Sequence, residues 1–83
     1  MIIDLIREYH PDLVLMDGFD DCIIGVSERF GGKIAVAYDK GLVIKKLIAD
    51  GASEEEAIEY FEFNQLGAYV GEHTPIFIDT FRK

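Results

Sequence analysis

The chain has a single cysteine, Cys22, so it can form no intrachain disulfide. A reducing compartment suits such a chain, and we expect a cytoplasmic protein, in a host cell's cytoplasm if the resemblance below is followed. No apolar run approaches the roughly 18 residues of a membrane span, and the N-terminal run is broken by Asp4 and Arg7. Cations are scarce: 8 Lys and Arg stand against 16 Asp and Glu, a formal charge of -8. That balance argues against a nucleic-acid phosphate or an anionic membrane as ligand and favours a basic protein partner. Chemistry-bearing motifs are equally sparse. The two histidines, His10 and His73, lie far apart with no cysteine pair, a weak signal for a metal centre. No Gly-x-Ser-x-Gly elbow supports a triad of Ser27, His73 and Glu72, and no glycine-rich turn precedes Lys45 and Lys46. Cys22 has no activating base beside it and reads as a small hydrophobe. Asp17, Asp20 and Asp21 lack the spacing and distal glutamate of an EF-hand loop. We therefore expect no enzyme, no cofactor and no metal.

What the chain does have is hydrophobic content, 49% over 83 residues, which suffices for one domain over 1–83. A core this small is marginal alone, so a homo-oligomer, a dimer first, is expected. Within the domain, 1–19 reads as an N-terminal appendage and 20–78 as the principal unit. Ile2 to Tyr9 suits a short helix burying Ile2, Ile3, Leu5 and Ile6, and Pro11 stops it. Leu13 to Met16 is apolar and suits an extra edge strand, followed by an Asp17-Gly18 turn.

Two β-rich stretches, Cys22 to Phe30 and Lys33 to Tyr38, flank Gly31-Gly32 and predict a hairpin. A two-residue turn would pair Glu28 with Ala35, Ser27 with Val36 and Val26 with Ala37. It would place Ile24, Val26, Phe30, Ala35 and Ala37 on one face and Ser27, Arg29, Val36 and Tyr38 on an outer one. Asp39 then suits the N-cap of a helix carrying Leu42, Val43, Ile44, Leu47 and Ile48, with Gly51 as its left-handed stop. The fold class that follows is α+β: a ββααβ domain with an antiparallel hairpin, a helical hairpin and a C-terminal strand, plus the N-terminal helix.

Ser53 and Glu56 have capping-box spacing, so the second helix starts there. At about 100° per residue, Ala57, Ile58 and Phe61 share one side, while Glu55, Glu59 and Glu62 lie opposite. Phe63 and Leu66 project toward the acidic side, and Asn64 and Gln65 fall on the apolar one. Either the helix ends near Phe63 or it has two contact surfaces. A buried Asn64 must satisfy its amide, since an orphaned one costs on the order of 1 to 3 kcal/mol. It either tethers the next loop or, with Gln65, contacts a ligand. Pro75 then precedes a short strand, Ile76 to Ile78.

The segments Glu55-Glu56-Ala57-Ile58-Glu59-Tyr60-Phe61-Glu62-Phe63-Asn64, Gly67-Ala68-Tyr69-Val70-Gly71-Glu72 and Thr74-Pro75-Ile76-Phe77 carry a resemblance. With Ile24-Gly25-Val26, Glu28-Arg29 and Ala35 to Asp39, they are similar to an uncharacterised family of short proteins common in bacteriophage genomes, over Asp20 to Ile78. The resemblance implies a phage or prophage origin and carries over no catalytic residue. Two functional expectations follow. In the first, Glu55, Glu59, Glu62, Phe63 and Leu66 bind a host or phage protein, with the acidic stripe replacing phosphates to inhibit a host-defence or nucleic-acid-handling protein. In the second, Asn64, Gln65, Tyr69, His73 and Arg29 surround a small nucleotide-like ligand. A solvated acidic face or a homodimer seam is the plainer alternative to the first.

Overall fold

The structure, a computed structural model, describes residues 2–28, 33–66, 71 and 73–81. In chain order it has helix α1 (Ile2–Tyr9), a 3-10 turn (Asp20–Cys22), strands β1 (Ile23–Ser27) and β2 (Ala35–Asp39), and helices α2 (Lys40–Ala49) and α3 (Glu54–Tyr60). A π-wound turn (Phe61–Leu66) and strand β3 (Ile76–Ile78) complete it. The three strands form one mixed sheet in the order β1-β2-β3, with β1 antiparallel and β3 parallel to β2. A parallel pair requires a crossover, and α2 and α3 supply it between β2 and β3. The fold is a small α+β one.

The middle strand is the centre of the core. All five residues of β2 are buried, and Val36 and Tyr38 are fully so. Around them gather Ile3 and Ile6 from α1, Cys22, Ile23, Val43 from α2 and Phe61 from the π turn. The N-terminal helix therefore packs into the same core as the rest. Phe77 on β3 brings three rings together: it lies 4.9 Å from Phe61 in an edge-to-face arrangement and 5.9 Å from Tyr38, its register partner. Such pairs add on the order of 0.5 to 1.5 kcal/mol beyond their buried area.

The hairpin register differs by one residue from that of a two-residue turn: Ser27 faces Ala35, Val26 faces Val36 and Gly25 faces Ala37. A one-residue slip turns every side chain of a strand to the opposite face. Val36 and Tyr38 consequently point into the core and do not form an outer surface. Val26 joins them, and Ile24 is more than a third exposed. The register shifts again between Ile23 and Gly25, so that Ile23 opposes Tyr38 and Ile24 is the extra residue of a bulge. The bulge lets Ile23 and Val26, three positions apart, face the same side.

Other expectations need correction as well. Leu13 to Met16 belongs to no strand; Leu13, Leu15 and Met16 pack on the core, and the Met16 N–H donates to the Tyr38 hydroxyl at 2.7 Å. That bond takes up the backbone donor a further strand would have used. On α1 only Ile3 and Ile6 are buried, while Ile2 and Leu5 lie outside, because eight residues turn one narrow stripe inward. Ile58 is likewise exposed on α3.

The punctuation between elements matches its chemistry. Gly18 has φ 85° in the turn closed by the Phe19 N–H to the Met16 carbonyl. Asp39 caps α2 by accepting from the Leu42 N–H at 3.2 Å, and its other oxygen accepts from the Thr80 hydroxyl at 3.4 Å, so this buried carboxylate is partnered. A Cβ on Gly41 would stand 3.3 Å from the capping oxygen, tighter than ordinary contact. At the far end of α2, the Gly51 N–H reaches the Ile48 carbonyl and the Ala52 N–H reaches that of Leu47. With Gly51 at φ 115°, this is a Schellman stop.

Candidate functional site

The outward side of α3 is built by its cap. The Glu56 N–H donates to the Ser53 hydroxyl at 3.1 Å and the Ser53 N–H donates to the Glu56 carboxylate at 3.0 Å, a complete capping box. Hydrogen bonding from Ser53, its backbone N–H first and its side chain second, holds the Glu56 carboxyl below its ordinary value. The cap sets the helix phase so that Ala57 and Phe61 are fully buried, and everything else on the α-helical segment faces out. Glu55, Glu59 and Glu62 are all exposed. After Tyr60 the winding loosens from α to π, which turns each residue through a smaller angle. Phe61 stays inward, with the Lys40 ammonium 5.6 Å from its ring centre. Phe63 stands outward, 76% exposed, and Tyr60 is half exposed. The segment thus exposes three carboxylates and two accessible rings.

A second concave feature lies away from those residues. His10 continues α1 by donating its N–H to the Ile6 carbonyl at 2.7 Å, and its own carbonyl accepts from the Leu13 N–H at 3.3 Å. Pro11 between them bends the chain into a turn. On the other side, Gly71 takes φ 109° and its carbonyl accepts both the Thr74 N–H, at 3.2 Å, and the Thr74 hydroxyl, at 2.6 Å. That turn carries His73, whose Nδ1 lies 2.7 Å from the Ile34 carbonyl oxygen. A carbonyl only accepts, so Nδ1 carries the proton and Nε2 is left for other partners. Between the two turns is an open groove of about 340 Å³ lined by Tyr9, His10, Pro11, Asp12, Leu13, Lys33, Ile34 and His73.

Another hollow, about 400 Å³, borders Asp21, Cys22, Leu42, Lys45, Lys46, Ala49 and Asp50. The Lys46 ammonium and Asp21 carboxylate are 3.3 Å apart there. Burial first, and then the Asp21 charge, push the Cys22 thiol up, against the opposing pull of Lys46. The thiol stays protonated and buried, an inert core group.

Of the residues expected to contact a partner, Glu55, Glu59, Glu62 and Phe63 are therefore accessible on one segment. The side chains of Asn64, Gln65 and Leu66 lie outside what is described, as do Arg29 and Tyr69 altogether. Of the described members of the ligand set, His73 is placed in a groove, beside His10, which sequence reasoning weighed only as a distant metal ligand, Lys33, a candidate cation for an anionic ligand, and Tyr9 and Asp12, which it left aside. Local pattern gives no signal for that meeting, since the two histidines sit at distant positions. Tyr60, half exposed, was also missed, because the wheel sets it about 60° from the buried Ala57. Among the described residues no three His, Cys, Asp or Glu side chains gather as a metal centre would need, and no helix is long and apolar enough to cross a membrane. Comparison with known protein families, with curated proteins and with solved structures finds no match.

Proposed function

We propose that the protein acts by binding another protein through the outward side of α3 and its π turn. The observation that carries this reading is Phe63, a large apolar ring 76% exposed on the same segment as the exposed Glu55, Glu59 and Glu62. Exposed aromatic rings are the side chains most often responsible for binding energy at interfaces, and the surrounding carboxylates select a basic partner and speed its approach. A helix whose stability is provided by Ala57, Phe61 and its cap has no structural need of Phe63.

In its specific form, the proposal is a small acidic accessory protein of phage type that inhibits a host-defence or nucleic-acid-handling protein, with carboxylates occupying phosphate-binding positions. The charge of -8 and the exposed Glu55, Glu59 and Glu62 support that form. The experiment is capture from host lysate by tagged protein, identification of the stoichiometric partner, and a repeat with purified partner against E55Q/E59Q/E62Q and F63A. Loss of binding in both variants supports the proposal. Undiminished binding in both defeats it, and loss in F63A alone removes phosphate mimicry while keeping the ring as anchor. Sedimentation of the protein alone distinguishes a second copy from a foreign partner.

A further inference from the structure

The groove between the turn after α1 and the turn carrying His73 shares no residue with the proposed interface. Its composition runs against that of the chain. In a protein of charge -8, it brings both histidines and Lys33 together, with Asp12 as the one carboxylate among the described residues that line it. An anion approaching the protein meets less repulsion here than at the glutamates of α3. Its volume of about 340 Å³ is that of a small-molecule cleft, and too large for a bare inorganic ion to fill. The Tyr9 ring, 70% exposed at the rim, offers a flat apolar surface.

The hydrogen-bond inventory narrows the ligand further. His73 is oriented by the Ile34 carbonyl through Nδ1, so its ring position is set before any ligand arrives. The same carbonyl accepts from Nδ1 whether the ring is neutral or doubly protonated, and in the second state Nε2–H donates to an anion. Lys33 supplies a second cationic donor. Asp12 would repel a purely anionic guest and reward one that also carries a hydroxyl or amine donor.

We propose that this groove binds a small organic anion: a phosphate or carboxylate held by Lys33 and His73, a hydroxyl or amine on Asp12, and a flat ring against Tyr9. A mononucleotide and an aromatic hydroxy acid share this chemistry.

The test is a titration of the isotopically labelled full chain, followed through its backbone amide resonances, with adenosine monophosphate, salicylate and inorganic phosphate as separate probes. Saturable shifts confined to residues 9–13, 33–34 and 73, from adenosine monophosphate or salicylate, are expected. Which of the two binds more tightly identifies the phosphate or the carboxylate source. K33Q and H73A should each weaken binding about tenfold, the weight of one charge-assisted hydrogen bond, with E55Q/E59Q/E62Q unchanged. Y9A is a further variant at an exposed position, and it should weaken either organic probe. Three results would overturn the proposal: no saturable shift from either organic probe at millimolar concentration, shifts centred elsewhere, or equal affinity for inorganic phosphate.

Discussion

Strand β2 and helix α3 make opposite use of their side chains. In β2 every residue is buried, including the carboxylate of Asp39, which is partnered by the Leu42 amide and the Thr80 hydroxyl. In α3 only Ala57 is buried, with Phe61 just beyond it, while Ile58, Tyr60 and Phe63 are left outside. Hydrophobic residues in the two regions thus serve different ends, since burial and not residue type decides what an apolar side chain contributes. The strand holds the molecule together, and the helix uses a minimal anchor to present a surface.

The contrast is sharpest in mutation. Tyr38→Ala removes a fully buried ring, its contact with Phe77 and the acceptor of the Met16 amide, and should cost about 3 to 5 kcal/mol in chemical denaturation. A loss under about 1 kcal/mol would show that β2 is not the centre of stability. Asp39→Ala should cost about 1 to 2 kcal/mol through the lost cap of α2 and the orphaned Leu42 amide. Ser53→Ala, the equivalent change in α3, should cost about 1 kcal/mol at most, because that helix contributes less to the core. Phe63→Ala should move stability by no more than about 0.5 kcal/mol while abolishing partner capture. If it destabilised the protein as Tyr38→Ala does, the division between the two regions would collapse.

The smallest effect is a pH dependence. Glu56 is held below its ordinary value of 4.5 in the folded protein by the Ser53 bonds, so its contribution is complete above 4.5 and disappears as pH falls through the lower, folded value. The stability difference between the protein and E56Q should therefore shrink on acidification through that window. A difference that persisted or grew would remove the capping box as its source.

Much of this fold is legible residue by residue. Asp39, Gly51, Ser53 and Glu56 announce caps and stops through chemistry that is local, and α1 and β3 follow from short apolar patterns ended or preceded by proline. The hairpin register is different in kind. It rests on Ser27 opposing Ala35 and on an extra residue at Ile24, neither of which the alternation of side chains encodes. The accessible set on α3 was readable because a helical wheel is a local calculation. The groove was not, since His10 and His73 meet only after the sheet and both turns have formed.

The parallel pairing of β3 with β2 carries a kinetic consequence. β1 and β2 are neighbours in the chain, whereas β3 pairs with Ala37, Tyr38 and Asp39 across two intervening helices. Closing that longer loop costs more entropy, so the seam between β2 and β3 should form after the rate-limiting step. Phe77→Leu would then accelerate unfolding and leave the folding rate nearly unchanged, while Val36→Ala would slow folding. The last seam to close is the first to open, and slow amide exchange should fail along β3 well before it fails along β2.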